Sequence, residues 1–169
     1  MRLATETGAI VFTDIVGFTH FTLERGDDIA LALLERKEKL VRDALPDTGR
    51  VVKELGDGLL LWFVDARDAL RTCVGLQSQF ELETTDDLPL WVRMGLHGGC
   101  PRRRGDDIVG HDVNLASRIV ELAGPGEVLC SLAAVDAAGD VPGVCFEELG
   151  PVFVRGLDDP VPLLRATPR

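Results

Sequence analysis

Two apolar runs of β type each lead to an aspartate: Ala9-Ile10-Val11-Phe12 precedes Asp14, and Val51-Val52 precedes Asp57. A glycine follows each aspartate, Gly17 after the first and Gly58 after the second. The first run is nearly unbroken over residues 8–14, the pattern of a strand covered on both faces. The second belongs to a hairpin, because Gly49 to Leu55 and Leu59 to Val64 flank Gly56-Asp57-Gly58 and leave the aspartate in the turn. The chain must therefore hold two carboxylates at the mouths of neighbouring strands. Such a pair suits a hard divalent cation, since Mg²⁺ takes carboxylate and phosphate oxygens and keeps part of its water shell.

The remaining segments predict an α/β (α+β) domain with helices over a mixed sheet. Asp27 and Asp28 offer N-caps to a helix reaching Leu45, closed by Pro46, with Leu33, Leu34, Leu40 and Val41 at helical spacing. Its outer face, Glu35, Arg36, Lys37, Glu38 and Lys39, reads as solvated. A helix over 66–82 and a strand from Trp91 to His97 follow. Arg102 to Gly110 reads as a polar loop, and a second helix start lies at Asp112. Glu127 to Cys130 predicts a short strand and 131–138 a helical stretch. The tail over 144–166 is broken by Gly150, Pro151, Gly156, Pro160 and Pro162, which predicts edge strands. With no repeat, low-complexity tract or linker, residues 1–169 read as one domain with its core over about 8–166.

Charge and cysteine content narrow the partners. A formal net charge of −10 repels polynucleotides and anionic lipid, and the basic run Arg102-Arg103-Arg104 is confined to one short stretch. The four cysteines, Cys73, Cys100, Cys130 and Cys145, form no CxxC pair and follow no signal peptide, so reduced thiols in the cytoplasm are expected. No apolar stretch approaches the roughly 20 residues that cross a bilayer. Any membrane anchor or regulatory domain is expected outside this chain.

Two further features carry chemistry. In Asp112–Glu121, Leu115, Ile119 and Leu122 are expected on the core side, while Asn114 and Arg118 stand one turn apart on another face. Alone, that pair reads as a solvated face. Beside two metal-binding carboxylates, Arg118 suits charge on a transferring phosphoryl group. Lys53, on the strand entering the Asp57 turn, and Asp107, before Gly110, are surface charges taken singly. As a pair they suit adenine, whose N6 amino group donates to a carboxylate and whose N1 accepts from an ammonium; guanine offers the opposite pattern. His97 and His111 read as core or loop histidines, and no general base is evident.

FTDIVGFT (12–19), KELGDG (53–58), VRMGLHGG (92–99) and GDDIVGHDVNLASRI (105–119) together resemble the catalytic domain of the class III nucleotidyl cyclases in their bacterial form. The resemblance covers nearly the whole chain, with the motifs in the family's order. It implies a ferredoxin-like, palm-type mixed sheet and assigns roles residue by residue. Asp14 and Asp57 match the two metal aspartates, and the carbonyl of Ile15 a backbone ligand. Backbone amides of Val16, Gly17, Phe18 and Thr19 match the triphosphate turn, as a glycine turn opening a helix would allow. Lys53 and Asp107 match the purine-selecting pair in its adenine form; Asp106 precedes Asp107, but the spacing to Asn114 favours Asp107. Asn114 matches the ribose-orienting amide and Arg118 the transition-state arginine. Arg155, in VRGL (154–157), stands where relatives often carry a phosphate-binding lysine.

The resemblance further implies a homodimer with shared sites and two divalent cations, Mg²⁺ or Mn²⁺. It implies conversion of ATP to 3′,5′-cyclic AMP and pyrophosphate. A guanylate cyclase remains the nearest alternative, and a catalytically weak nucleotide-sensing or dimerisation module the non-enzymatic one. A diguanylate cyclase lacks its GG[DE]EF signature here, and a polymerase palm conflicts with the acidic charge.

Overall fold

The architecture is that of a computed structural model, which describes residues 6–169. Strand β1 (Gly8–Ile15) is followed by helices α1 (Phe18–Arg25) and α2 (Asp27–Ala44), then by the hairpin of β2 (Gly49–Leu55) and β3 (Gly58–Phe63). Helix α3 (Ala66–Glu83) returns the chain to β4 (Val92–Gly99). These segments give the strand order β2-β3-β1-β4, all antiparallel, which is the ferredoxin-like split arrangement. The sheet then continues through β7 (Val128–Ser131), β9 (Val161–Pro168) and β8 (Val144–Val152) to seven strands. Among the described residues only the β4–β7 pairing is parallel.

Alternation along β1 explains how the sheet is covered twice. Ala9 and Val11 enter a core with Leu33 and Leu40 of α2, Leu70 and Phe80 of α3, and Ala134 of helix α5 (Leu132–Ala138). Ile10 points the other way, into a cluster with Leu60, Trp62, Ile108, Val113 and Ala116. That second face belongs to helix α4 (His111–Leu122) and to the hairpin of β5 (Arg102–Arg104) and β6 (Asp107–Val109). Gly95 lets α4 approach β4, since a Cβ there would lie 2.4 Å from the backbone nitrogen of Val120. Asp14 and Arg93, paired across β1 and β4, share the α4 side of the sheet.

Several sequence expectations need correction. Residues 102–110 are a hairpin rather than a loop, with Arg104 opposite Asp107 across a Gly105-Asp106 turn, because buried Ile108 anchors the ribbon on the sheet. The α2 N-cap is Gly26; Asp27 and Asp28 lie in the first turn, where acids complement the helix dipole. The extra helix α1 ends at that same glycine. Strand β9 is internal rather than an edge, and its prolines fit because β7 pairs only with Leu163 to Ala166, between Pro162 and Pro168. Leu122 is 44% exposed; Ala123, four residues after Ile119, takes the core position expected of it. Lys37 is only 2% exposed, although it was expected on a solvated face.

Candidate active site

The hairpin turn brings Asp57 against the end of β1. Its Oδ2 accepts the backbone N–H of Ile15 at 3.3 Å, and both aspartates line one hollow. Close packing supports this, since a Cβ on Gly58 would meet the Thr13 carbonyl at 2.5 Å. Burial, then the neighbouring Asp14, pushes the Asp57 carboxyl up to about 6. Burial also acts upward on Asp14, but hydrogen bonds with Asp57 and Arg93, with the charges of Arg93 and Lys37, hold it below its ordinary value. One carboxylate thus stays ionised while the other retains a proton readily, the division expected of two acids in close contact.

Three residues around this pair were missed in the sequence. Arg93 bonds Asp14 Oδ2 at 2.7 and 3.2 Å. Its spacing, on β4 one register step from the core-facing Val92 and Met94, could have marked it. Lys37 reaches the pair from the opposite layer and donates from Nζ to the Asp57 carbonyl. Burial lowers its ammonium to about 8, against the opposing pull of Asp57 and Asp14. Glu121 accepts from Arg118 at 3.1 Å and from Arg155 at 3.0 and 3.3 Å. Arg118 meets Glu121 at i,i+3 spacing on α4, whereas Arg155 reaches the same carboxylate from 34 residues away with no local sequence signal.

A hollow of about 250 Å³ opens between the aspartates, Arg93 and the α4 residues Ser117, Val120 and Glu121. The Val16-Gly17 turn borders a separate hollow of about 480 Å³, lined by Phe21, Leu33 and Trp91 among others and by neither aspartate. Gly17 has φ 72°, a left-handed conformation suited to glycine, and opens α1. The Val16 N–H is taken by the Trp91 carbonyl at 2.8 Å, and the first helical bond runs from Phe21 to Gly17. Amides of Gly17, Phe18 and Thr19 are thus in the orphan positions of a helix start, whereas that of Val16 is committed.

Lys53 Nζ lies 3.0 Å from Asp107 Oδ2, and that hydrogen bond holds the Asp107 carboxyl below its ordinary value. Asp106 is used differently, giving its backbone carbonyl to Arg50 at 2.9 Å. Asn114 is exposed on the first half of α4. Among the described residues, neither Asn114 nor Arg118 is hydrogen-bonded or ion-paired to Asp14 or Asp57. The site residues thus form three groups within one chain: the aspartates, the lysine–aspartate pair, and the arginines on Glu121. His97 is buried, with Nδ1 2.8 Å from Ser131 Oγ and Nε2 3.1 Å from Asp112 Oδ1, in keeping with a core role.

The donor set suits a hard cation. Two carboxylates and the Ile15 backbone offer oxygen ligands, and among the described residues no three His, Cys, Asp or Glu side chains converge. Remaining coordination would fall to water and substrate phosphate, as Mg²⁺ prefers. No helix among the described residues is long and apolar enough to cross a membrane.

Residues 3–163 match the adenylate and guanylate cyclase catalytic domain, and the chain belongs to that family. It is 31% identical over 159 residues to the pH-sensitive adenylate cyclase MT1302 of Mycobacterium tuberculosis, covering 92% of this chain and 39% of the relative. It is 33% identical over 126 residues to an adenylate cyclase of Streptomyces coelicolor, covering 74% of this chain and 32% of that one. The chain thus spans well under half the length of these curated relatives. Among solved structures, the adenylyl cyclase CyaB of P. aeruginosa superposes with a TM-score of 0.87 at 22% identity, covering 100% of this chain and 97% of that one. The guanylyl cyclase Cya2 gives 0.82 at 22% identity, covering 98% and 94%. Likeness at that identity establishes the class III cyclase fold and leaves base preference to the residues.

Proposed function

We propose that this chain is a single catalytic domain that converts ATP to 3′,5′-cyclic AMP and pyrophosphate as a homodimer with shared sites. The observation that carries the choice of ATP is the Lys53–Asp107 pair at 3.0 Å, an ammonium and a carboxylate matched to adenine N1 and N6. Against guanine the same two groups would face like partners, which costs binding. The kinship with curated adenylate cyclases supports this reading.

Asp14, Asp57 and the Ile15 carbonyl would hold two divalent cations, Mg²⁺ or Mn²⁺. When bound, such ions polarise the ribose 3′-hydroxyl and neutralise the triphosphate. Arg93 and Lys37 favour the anionic form of Asp14, Arg93 fixes its carboxylate, and Lys37 holds the Asp57 backbone carbonyl before any ligand arrives. Amides at Gly17, Phe18 and Thr19 are oriented toward phosphate oxygens by the start of α1. Asn114 positions the ribose, Arg118 stabilises charge at the α-phosphate, and Arg155 receives the terminal phosphates, so catalysis is positioning and electrostatics. Because neither Asn114 nor Arg118 is hydrogen-bonded or ion-paired to the aspartates of its own chain, a second copy supplying them completes the site. Phe153, 76% exposed beside Arg155, is suited to burial in that interface.

Purified protein incubated with ATP or GTP and with Mg²⁺ or Mn²⁺ tests the proposal, with products separated by chromatography. Cyclic AMP from ATP with little cyclic GMP is expected. Cyclic GMP as the main product would transfer the proposal to guanylate cyclase, and no product from a folded dimer would favour a sensing module.

A further inference from the structure

Lys37 is the anomaly of α2. The buried face of that helix is Ala30, Leu33, Leu40 and Val41, with Lys37 among them at 2% exposure. Burying a charged side chain costs free energy unless its head finds a partner, and here the head emerges beneath the Asp57 turn and donates to the Asp57 carbonyl. Asp57 is thus held from two sides. Its carboxylate is fixed by the Ile15 N–H on one side, and its carbonyl by an ammonium arriving from the opposite helical layer. An apolar residue would satisfy the packing of α2 equally well, so packing alone does not account for a lysine.

We propose that Lys37 is a positioning residue for the cation site, pinning the Asp57 turn through its backbone carbonyl so that the Asp57 carboxylate is aimed beside Asp14. It touches neither substrate nor cation and acts through Asp57. This rests on the reading of Asp14 and Asp57 as cation ligands, but its first test requires no activity.

The test is Lys37→Met, close in length and uncharged. Backbone hydrogen exchange is followed in metal-free protein, together with the Mn²⁺ concentration giving half-maximal turnover of ATP. Exchange at Gly56, Asp57 and Gly58 is expected to rise about tenfold relative to β1 and α3, and half-saturating Mn²⁺ to rise about tenfold with it. The direction of the second effect is informative. Loss of a cation near the site would by charge alone tighten Mn²⁺ binding, whereas loss of positioning weakens it. Unchanged exchange at the turn, or tighter Mn²⁺, overturns the proposal. If exchange rises uniformly because the whole domain is loosened, Lys37→Arg decides. Recovery of protection at Gly56–Gly58 supports the pin, and a folded Lys37→Arg protein without it overturns the pin. If the protein makes no cyclic nucleotide, the exchange result still stands on its own.

Discussion

Arg93 holds the carboxylate of Asp14 with two nitrogens, Nη2 at 2.7 Å and Nε at 3.2 Å, and gives Nη1 to the carbonyl of Glu121 at 3.1 Å. The proposed metal aspartate on β1 is thereby tied to the last turn of α4. Both side chains are about a quarter exposed, so solvent weakens the pair only in part. Arg93→Gln is expected to lower stability by about 1–3 kcal/mol at pH 7, the range for hydrogen bonds to charged groups. A double-mutant cycle with Asp14→Asn, followed by denaturant unfolding, measures the coupling. A coupling indistinguishable from zero would contradict a structural role for this pair.

The raised Asp57 carboxyl has a definite consequence for pH. A group whose folded pKa is about 6 against an ordinary value of 3.8 binds its proton more tightly in the folded state. The Asp57 contribution to the stability of metal-free protein should therefore be lost as pH rises from about 4 to about 6, and that loss should level off above the window. Asp14 acts in the opposite direction below this window, while His97 and Glu38, each held below its ordinary value, add stability as pH rises through it. Relative to wild type, Asp57→Asn should remove that loss, so that the Tm difference between the two changes between pH 4 and 6 when measured without divalent cation. A Tm difference between wild type and Asp57→Asn that stays constant across that interval would contradict the assignment.

Much of the fold and site is legible in the sequence because it depends on local pattern. The apolar run before Asp14, the Gly-Asp-Gly turn and the helical spacing of Asn114 and Arg118 locate three elements, and each element is present with nearly the expected bounds. Lys53 and Asp107, paired in the sequence by their chemistry, lie 3.0 Å apart, and the backbone carbonyl of Asp106 accepts from Arg50. What was not legible depends on long-range packing. Lys37 lies in a run of charged residues, Glu35 to Lys39, so composition marks it as solvated; only the position of the Asp57 turn over α2 makes burial possible. The convergence of Arg118 and Arg155 on Glu121 joins segments 34 residues apart.

That convergence predicts competition. Glu121 occupies both arginines before any triphosphate arrives, at side-chain exposures of 38% for Arg118 and 71% for Arg155. Exposed pairs of this kind contribute about 0–1 kcal/mol, so Glu121→Gln is expected to lower the KM for ATP by at most about fivefold. Steady-state kinetics at saturating metal checks this. A rise in KM would show that Glu121 orients the arginines and does not compete for them.

Base preference should follow the lysine–aspartate pair. In Lys53→Glu with Asp107→Cys, the groups facing adenine N1 and N6 no longer match, and discrimination of ATP over GTP is expected to fall by at least about tenfold. Competition between the two nucleotides, read as the ratio of cyclic products, measures it. Full retention of ATP preference would contradict the pairing.

Separation of the three residue groups within one chain leads to the strictest test of a shared site. Asp14→Ala removes a proposed cation ligand, and Arg118→Ala removes the proposed transition-state charge, with an expected loss of about 10²–10³ in kcat. Each variant alone should be nearly inactive, because in a two-fold dimer both sites carry the same defect. In a mixed dimer the two lesions fall in one site and leave the other intact. Random exchange makes about half the dimers mixed, each with one working site of two, so an equimolar mixture should recover about a quarter of wild-type activity. Recovery must require exchange of subunits, which a mass measurement of differently tagged chains establishes. Mixed dimers that form yet remain inactive would place all the catalytic residues of a site on one chain and rule out the shared arrangement.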